Sequence, residues 1–212
     1  EEKDWVSEYH KNLKPLIVDD FFIANKDLLE KYHEKHIPIC IESSRAFGTG
    51  EHETTSGCIR LMSKLASETN INSVFDVGTG TGILAFVAEK LWPSAKIYAC
   101  DIDKVSVDVA NINSEYNNSN AIFFQNDEKI ILPEHAPQNF DLIISNILAL
   151  PLVQLAEFFK SISNKNTIII LSGFLENQVH LIEEAYTKTG FESVNKIVNN
   201  NWSSLQFKVK GY

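Results

Sequence analysis

Residues 74–82, VFDVGTGTG, constrain the fold of this chain more than any other stretch. An apolar run ends in glycines at every second position, and the apolar residues 83–88 follow. A strand, a glycine turn and a helix in this order form a cradle for a phosphate or a nucleotide. Glycine permits positive φ, and without a Cβ its backbone can come close to a ligand. Dinucleotide-binding turns have the spacing G-x-G-x-x-G, so this G-x-G-x-G turn has a different shape.

Apolar strands alternate with helically spaced segments on the carboxyl side of this turn. Further strands are predicted at 96–100, 121–124, 140–148, 167–172, 191–198 and 202–209. Helical spacing predicts the intervening helices, for example through Val105, Val109, Ile112 and Tyr116. Gly173 is expected to end the fifth strand, and Asn199-Asn200-Asn201 to join the last two as a tight hairpin. The pattern predicts an α/β fold, a doubly wound seven-stranded sheet that is mostly parallel with a C-terminal antiparallel hairpin.

Residues 1–45 lack this alternation and are expected to form an N-terminal arm or linker region. The spacing predicts a helix at 4–13, a hairpin at 16–23 that turns at Asp19-Asp20, and a short strand at 37–41. Because the chain begins with Glu1 and not with Met, we expect a fragment or a processed form.

A second glycine loop, AFGTGEHETT, occupies residues 46–55. Thr54 or Thr55 is expected at the start of the following helix. The threonine is either a plain N-cap or a hydroxyl that faces an anionic group of a ligand at the helix N-terminus, and the sequence leaves both open. His52 is interpreted as structural rather than catalytic.

Polar side chains follow three of the predicted parallel strands. Asp101 lies 23 residues beyond Gly78, where an acid can accept hydrogen bonds from both ribose hydroxyls of a nucleotide. Asp103 is better placed to cap the next helix, which leaves Asp101 for the ligand. Asp127 could contact a base, although a solvated loop acid is the favoured interpretation. Asn146 ends an apolar strand, and its amide needs a partner in a substrate amine, a ligand or the backbone.

The composition excludes several classes of function. The net charge of −9, from 19 basic and 28 acidic residues, disfavours direct nucleic-acid binding. An acidic surface could suit a basic protein substrate, although an ordinary cytosolic surface explains it as well. The three cysteines have neither metal nor disulfide spacing, which indicates a reducing cytoplasm. We find no apolar stretch of membrane-spanning length and no signal-peptide pattern.

The turn and the closing hairpin favour methyl transfer over hydride transfer, although both chemistries use doubly wound sheets. From about residue 46 to the end, the chain resembles the class I methyltransferases that use S-adenosylmethionine. Several segments together resemble the bacterial PrmA family of ribosomal-protein methyltransferases. They are AFGTGEHETT, Asp101-Ile102-Asp103, Asn146-Ile147-Leu148-Ala149 with Pro151-Leu152, Leu171-Ser172-Gly173 with Glu176 and Gln178, and Trp202.

The resemblance implies that residues 46–212 form a methyltransferase domain. The domain would methylate the α-amino and lysine amino groups of a large-subunit ribosomal protein. It would act in the cytoplasm, would need no metal ion and would bind no membrane. It also implies that Asp76 ties the glycine turn together and that Asn146 orients the reacting amine. The residues implied to hold S-adenosylmethionine are Thr55, Gly78, Gly80, Asp101 and Asn146.

The chain departs from the family at three points. Glu51-His52-Glu53 stands where the family has Thr-His-Pro, and Lys104 follows Asp103 where the family has proline. The family carries a separate N-terminal recognition domain, whereas this sequence has only a short arm that resembles the family's linker, and both removal of the domain and its absence from this lineage stay open. Two alternatives therefore stay open, a methyltransferase-fold module without activity and a methyltransferase of a different protein. A nicotinamide-dependent oxidoreductase would need G-x-x-G spacing and a hydride-handling site, and neither is visible.

Overall fold

The structure is a computed structural model that describes residues 15–32, 35–42, 51–127 and 129–211. The helix predicted at 4–13 and the glycines of the second loop lie outside these ranges. The N-terminal elements are β1 (Leu16–Val18), β2 (Phe21–Ala24), α1 (Lys26–Leu29) and β3 (Ile37–Cys40). The three strands form a small sheet in the order β1-β2-β3. The strands of the main sheet are β4 (Ser73–Val77), β5 (Lys96–Asp101), β6 (Ile122–Gln125), β7 (Phe140–Asn146), β8 (Ser163–Leu175), β9 (Phe191–Asn199) and β10 (Trp202–Val209). The remaining helices are α2 (Glu51–Ala66), α3 (Ile83–Leu91), α4 (Lys104–Asn117), α5 (Ala149–Ser161), the 3₁₀ turn Glu176–Gln178 and α6 (Val179–Lys188).

The main sheet has seven strands in the order β6-β5-β4-β7-β8-β10-β9. The first five are mutually parallel, and β10 is antiparallel to both of its neighbours. The predicted fold class is therefore confirmed. The strand order reverses between β4 and β7, and open α/β sheets bind their ligands in the crevice at the carboxyl ends of the strands beside such a reversal.

Hydrophobic cores cover both faces of the sheet. Val74 and Ile144 point into a core that also contains residues of α2 and α3. Phe75 and Ile143 point to the opposite face and pack with residues of α5 and α6. Because successive side chains of a strand point to opposite faces, a central parallel strand must be apolar throughout, and this explains the continuous apolar runs in the sequence.

The described part of the arm packs on the first of these cores. Its predicted hairpin is confirmed, with β1 and β2 antiparallel and Asp19 at φ 48° in the turn. β3 adds to β2 in parallel. Phe21 and Ile39 are fully buried in the same core as α2 and α3.

Three local expectations need correction. Gly173 does not end the fifth strand, because β8 continues to Leu175 and Gly173 lies inside it at φ 95°. Thr54 and Thr55 do not cap α2, since the helix already includes Glu51. The apolar stripe that predicts α4 is not its buried face, because Ile112 and Tyr116 are about half exposed. The residues of α4 that are buried are Val107, Ala110, Asn113 and Asn117.

The predicted C-terminal hairpin is confirmed, except that Asn199 belongs to β9 and not to the turn. Asn200 and Asn201 have φ values of 47° and 69° and connect β9 to β10 as a two-residue turn. Positive φ at both positions is the geometry that suits the twist of a hairpin, and asparagine tolerates it. Within the described ranges, no helix combines the length and apolarity needed to cross a membrane.

We expect Gly173→Ala to destabilise the fold by about 3 kcal/mol or more. Alanine would hold a strained positive φ, and its Cβ would lie 2.3 Å from the backbone oxygen of Ile147. Urea unfolding measures the loss. Gly211→Ala is the matched control, because a Cβ there meets nothing within 4 Å. Equal stability of the two variants would contradict this account of β8.

Candidate active site

The glycine turn is closed by its own hydrogen bonds at the carboxyl end of β4. The N–H groups of Gly78 and Thr79 both donate to the Cys100 oxygen of β5, at 2.9 and 3.0 Å. The Gly82 N–H donates to the Thr79 oxygen at 3.0 Å. All three glycines of the turn have positive φ. A Cβ on Gly80 would meet no atom within 4 Å, so the turn faces open space in which a ligand can lie.

Asp76 lies buried beneath this turn and ties it to β4. Its Oδ2 accepts a hydrogen bond of 2.6 Å from the Thr79 hydroxyl, while Oδ1 has no hydrogen-bond partner among the described residues. Burial raises the pKa of Asp76 to about 7. The Thr79 hydrogen bond lowers this pKa, and the nearby charge of Asp101 raises it. The carboxyl group therefore changes its charge near neutral pH.

Asp101 reaches across the crevice to the same turn. Its Oδ2 accepts the Gly80 N–H at 2.9 Å, and its Oδ1 accepts the Asp103 N–H at 3.0 Å. Asp103 is the N-cap of α4, as predicted, and accepts the Val105 N–H at 2.9 Å. Asp101 is thus held at the end of β5, and its carboxylate keeps further lone pairs that can accept hydrogen bonds. Asp127 is exposed beyond β6, in agreement with a solvated loop acid.

Asn146 and Thr55 meet on the other side of the turn. Ser145 donates to the Val77 oxygen at 2.7 Å and joins the ends of β7 and β4. The next residue, Asn146, directs its Nδ2 to the Thr55 hydroxyl of α2 at 3.5 Å, a long contact. Thr55 is buried, whereas Asn146 is partly exposed. The amide thus lies at the carboxyl end of β7 beside the Thr55 hydroxyl, and its oxygen is a hydrogen-bond acceptor.

Small residues allow α2 to bring Thr55 this close to the sheet. A Cβ on Gly57 would lie 2.1 Å from the Ser204 hydroxyl oxygen of β10. That hydroxyl contacts the Ser172 hydroxyl of β8 at 2.7 Å, and Ser172 also donates to the Ser203 oxygen at 2.9 Å. The position of Thr55 therefore depends on a close approach between a helix and two strands.

Ile147 is a site residue to which the sequence analysis assigned no role. A Cβ on Gly78 would lie 2.3 Å from the Ile147 Cγ2, and one on Gly173 would lie 2.3 Å from the Ile147 oxygen. Ile147 also donates its N–H to the Ser172 oxygen at 3.1 Å. Two glycines, far apart in sequence, thus make room for one residue. The sequence shows both glycines, but it does not show that Ile147 packs against both of them in the folded protein.

Neither metal ligation nor thiolate chemistry is supported by the described residues. Among them there is no group of three His, Cys, Asp or Glu side chains that could hold a metal ion. Cys40, Cys58 and Cys100 are buried and free. Burial raises the pKa of Cys40 to about 11 and the pKa values of the other two further, so none is a thiolate at neutral pH.

Comparison with known proteins decides the family. The model of the family described as ribosomal protein L11 methyltransferase (PrmA) matches residues 1–210. The chain belongs to the PrmA family. A relative named ribosomal protein L11 methyltransferase from Mesorhizobium japonicum is 35% identical over 211 residues, covering 97% of this chain and 71% of the relative. One of the same name from a Caulobacter species is 33% identical, covering 95% of this chain and 70% of the relative.

Solved structures agree with this assignment. The crystal structure of a ribosomal protein L11 methylase from Lactobacillus delbrueckii subsp. bulgaricus superimposes with a TM-score of 0.77 at 28% identity, covering 94% of this chain and 99% of that one. A methyltransferase from Pyrococcus furiosus gives a TM-score of 0.59 at 23% identity, covering 72% and 81%, and shows the shared fold. As a PrmA family member, the chain is a class I methyltransferase, as its sequence predicted.

We expect the stability of the protein to depend on pH through Asp76. Its folded pKa, about 7, lies above the unfolded value of about 3.9. The stabilising contribution is therefore fully present below pH 3.9 and is lost as the pH rises through 7. Between pH 5 and pH 8, wild type should lose about 3 kcal/mol relative to Asp76→Asn. Urea unfolding at both pH values measures this difference, and parallel curves for the two proteins would refute it.

Proposed function

We propose that this chain transfers methyl groups from S-adenosylmethionine to the α-amino and lysine amino groups of ribosomal protein L11. One observation carries the proposal. In a PrmA family member, the G-x-G-x-G turn, Asp101 and Asn146 converge on one crevice at the carboxyl edge of the sheet. The chemistry of these groups matches the adenosyl and amine ends of the reaction.

Three features of the site support S-adenosylmethionine as the cofactor. The open space before Gly80 lets an adenosyl group approach the backbone, and Gly78 shapes the turn. Asp101, fixed by two backbone N–H groups, would accept hydrogen bonds from the ribose hydroxyls. Thr55 and Asn146 would hold the opposite end. When bound, S-adenosylmethionine supplies an electrophilic methyl group on a sulfonium.

Positioning is the main work of the protein residues. An amine attacks only when neutral, and an α-amino group with pKa about 7.7–8.0 loses its proton far more readily than lysine at about 10.4. The Asn146 side-chain oxygen would accept one amine N–H and so orient the lone pair, while Nδ2 contacts the Thr55 hydroxyl at 3.5 Å. Holding the two reactants in this geometry lowers the barrier without a dedicated base.

Three features suit a protein substrate. Leu148 and Leu150, directly beyond Asn146, are 70% and 67% exposed and could contact a polypeptide. A cavity of about 460 Å³ lies at the end of β8 and is lined by Leu175, Glu176, Asn177 and Asn201. The acidic charge of −9 complements a basic ribosomal protein and disfavours direct nucleic-acid contact.

We further propose that the enzyme acts in the cytoplasm. Residues 1–45 would form an arm, and residues 46–212 would form the methyltransferase domain.

We expect Asp101→Ala to weaken S-adenosylmethionine binding at least about 100-fold, because charged ribose hydrogen bonds contribute about 1.5–3 kcal/mol each. Calorimetry measures the affinity, and transfer of labelled methyl groups to purified L11 measures activity. Asp103→Ala is the control, because it removes the bonds to Val105 and Ser106 at the start of α4 but keeps the backbone N–H that Asp101 accepts. Binding without label transfer by wild type would favour the inactive module. Tighter binding of NADH than of S-adenosylmethionine would favour an oxidoreductase.

We expect Asn146→Ala to lower the methylation rate about 100-fold while changing cofactor affinity less than about tenfold, the scale of one hydrogen bond. Single-turnover transfer to L11 gives the rate, and calorimetry gives the affinity. Asn126→Ala, directly beyond strand β6 of the same sheet, is the matched control. Losses of rate and affinity in equal proportion would mean that Asn146 only holds the cofactor.

A further inference from the structure

Helix α4 carries three asparagines with different environments. Asn113 is fully buried and Asn117 is 7% exposed, although their side chains are polar. Asn111 is exposed, and its Nδ2 donates to the Val107 oxygen of the same helix at 2.9 Å. A buried amide is stable only when its hydrogen bonds are made, so the partners of the buried pair are informative.

Asn113 joins two segments that are distant in sequence. Its Nδ2 donates to the Thr81 oxygen of the glycine turn at 3.0 Å. Its Oδ1 accepts the backbone N–H of Glu42, just beyond β3, at 3.0 Å. One side chain is therefore bonded to the candidate cofactor turn and to the arm at the same time.

Asn117 holds the arm without reaching the turn. Its Oδ1 accepts the Cys40 N–H at 2.8 Å, and its Nδ2 donates to the Cys40 oxygen at 2.7 Å and the Asn113 oxygen at 2.8 Å. β3 is also held by its pairing with β2 and by the buried Ile39 and Ile41. Removing the Asn117 amide should therefore destabilise the arm without releasing it.

We propose that Asn113 is a positioning residue that couples the arm to the cofactor turn. The Glu42 N–H fixes the orientation of the amide, and the amide then fixes the Thr81 peptide. Gly80, the residue before Thr81, donates its N–H to Asp101, the proposed ribose ligand. The packed arm thereby sets the geometry in which Asp101 meets the cofactor. This inference rests on the proposed function.

The first experiment compares the three asparagines of α4. Calorimetry with S-adenosylmethionine gives the affinity, and thermal unfolding gives the stability. Asn113→Ala should weaken binding about tenfold, the scale of one lost hydrogen bond. Asn113→Ala and Asn117→Ala should lower Tm by similar amounts, but Asn117→Ala should change the affinity less than about twofold. Asn111→Ala should change neither Tm nor the affinity. Equal losses of affinity in Asn113→Ala and Asn117→Ala would overturn the proposal, because general destabilisation would then explain both.

The second experiment tests the bond to the arm. Glu42→Pro removes the N–H that Asn113 accepts, whereas Glu42→Ala keeps this N–H and loses only the side chain. Glu42→Pro should weaken cofactor binding about three- to tenfold relative to Glu42→Ala. Identical affinities of the two variants would overturn the coupling. A wild-type protein that does not bind S-adenosylmethionine would instead refute the proposed function, so the two failures are distinguishable.

Discussion

The site depends on the packing of Ile147 between Gly78 and Gly173. At both glycines a Cβ would come within 2.3 Å of an Ile147 atom, so neither position has room for a side chain. The contact brings the carboxyl ends of β4, β7 and β8 together. Gly78 directly follows β4, Ile147 directly follows β7, and Gly173 lies in β8. Asn146 precedes Ile147 directly. Protein interiors do not deform freely, so the distance between Asn146 and the glycine turn is fixed by this contact.

The features that sequence predicted well are local in chain order. The strands of the main sheet, the C-terminal hairpin and the Asp103 cap follow from apolar runs, from asparagine in a tight turn and from spacing to the next helix. The resemblance of several segments to PrmA also predicted the family correctly. Asp101 and Asn146 lie at strand ends in both sequence and structure, because carboxylate and amide groups interrupt otherwise apolar runs.

The features that sequence missed depend on contacts between distant segments. Gly173 seemed to end a strand, but it lies inside β8 because the Ile147 backbone passes against it. Thr54 or Thr55 was expected at the start of α2, yet both lie within the helix, and Thr55 is placed by the approach of that helix to β10. The polar Asn113 and Asn117 are buried while the apolar Ile112 is exposed, since the arm supplies the hydrogen-bond partners. Periodicity along one helix cannot reveal partners that come from another segment.

The hydrogen bonds of the turn bear on which ligand it accepts. A dinucleotide turn presents free N–H groups to a pyrophosphate. Here the N–H groups of Gly78 and Thr79 donate to a backbone oxygen, and that of Gly80 donates to a carboxylate. Asp76 and Asp101 also place acidic groups at this position, and the charge of Asp101 raises the pKa of Asp76. These three N–H groups are therefore already bonded within the protein, so the turn differs from a pyrophosphate-binding turn in its hydrogen bonds as well as in its glycine spacing.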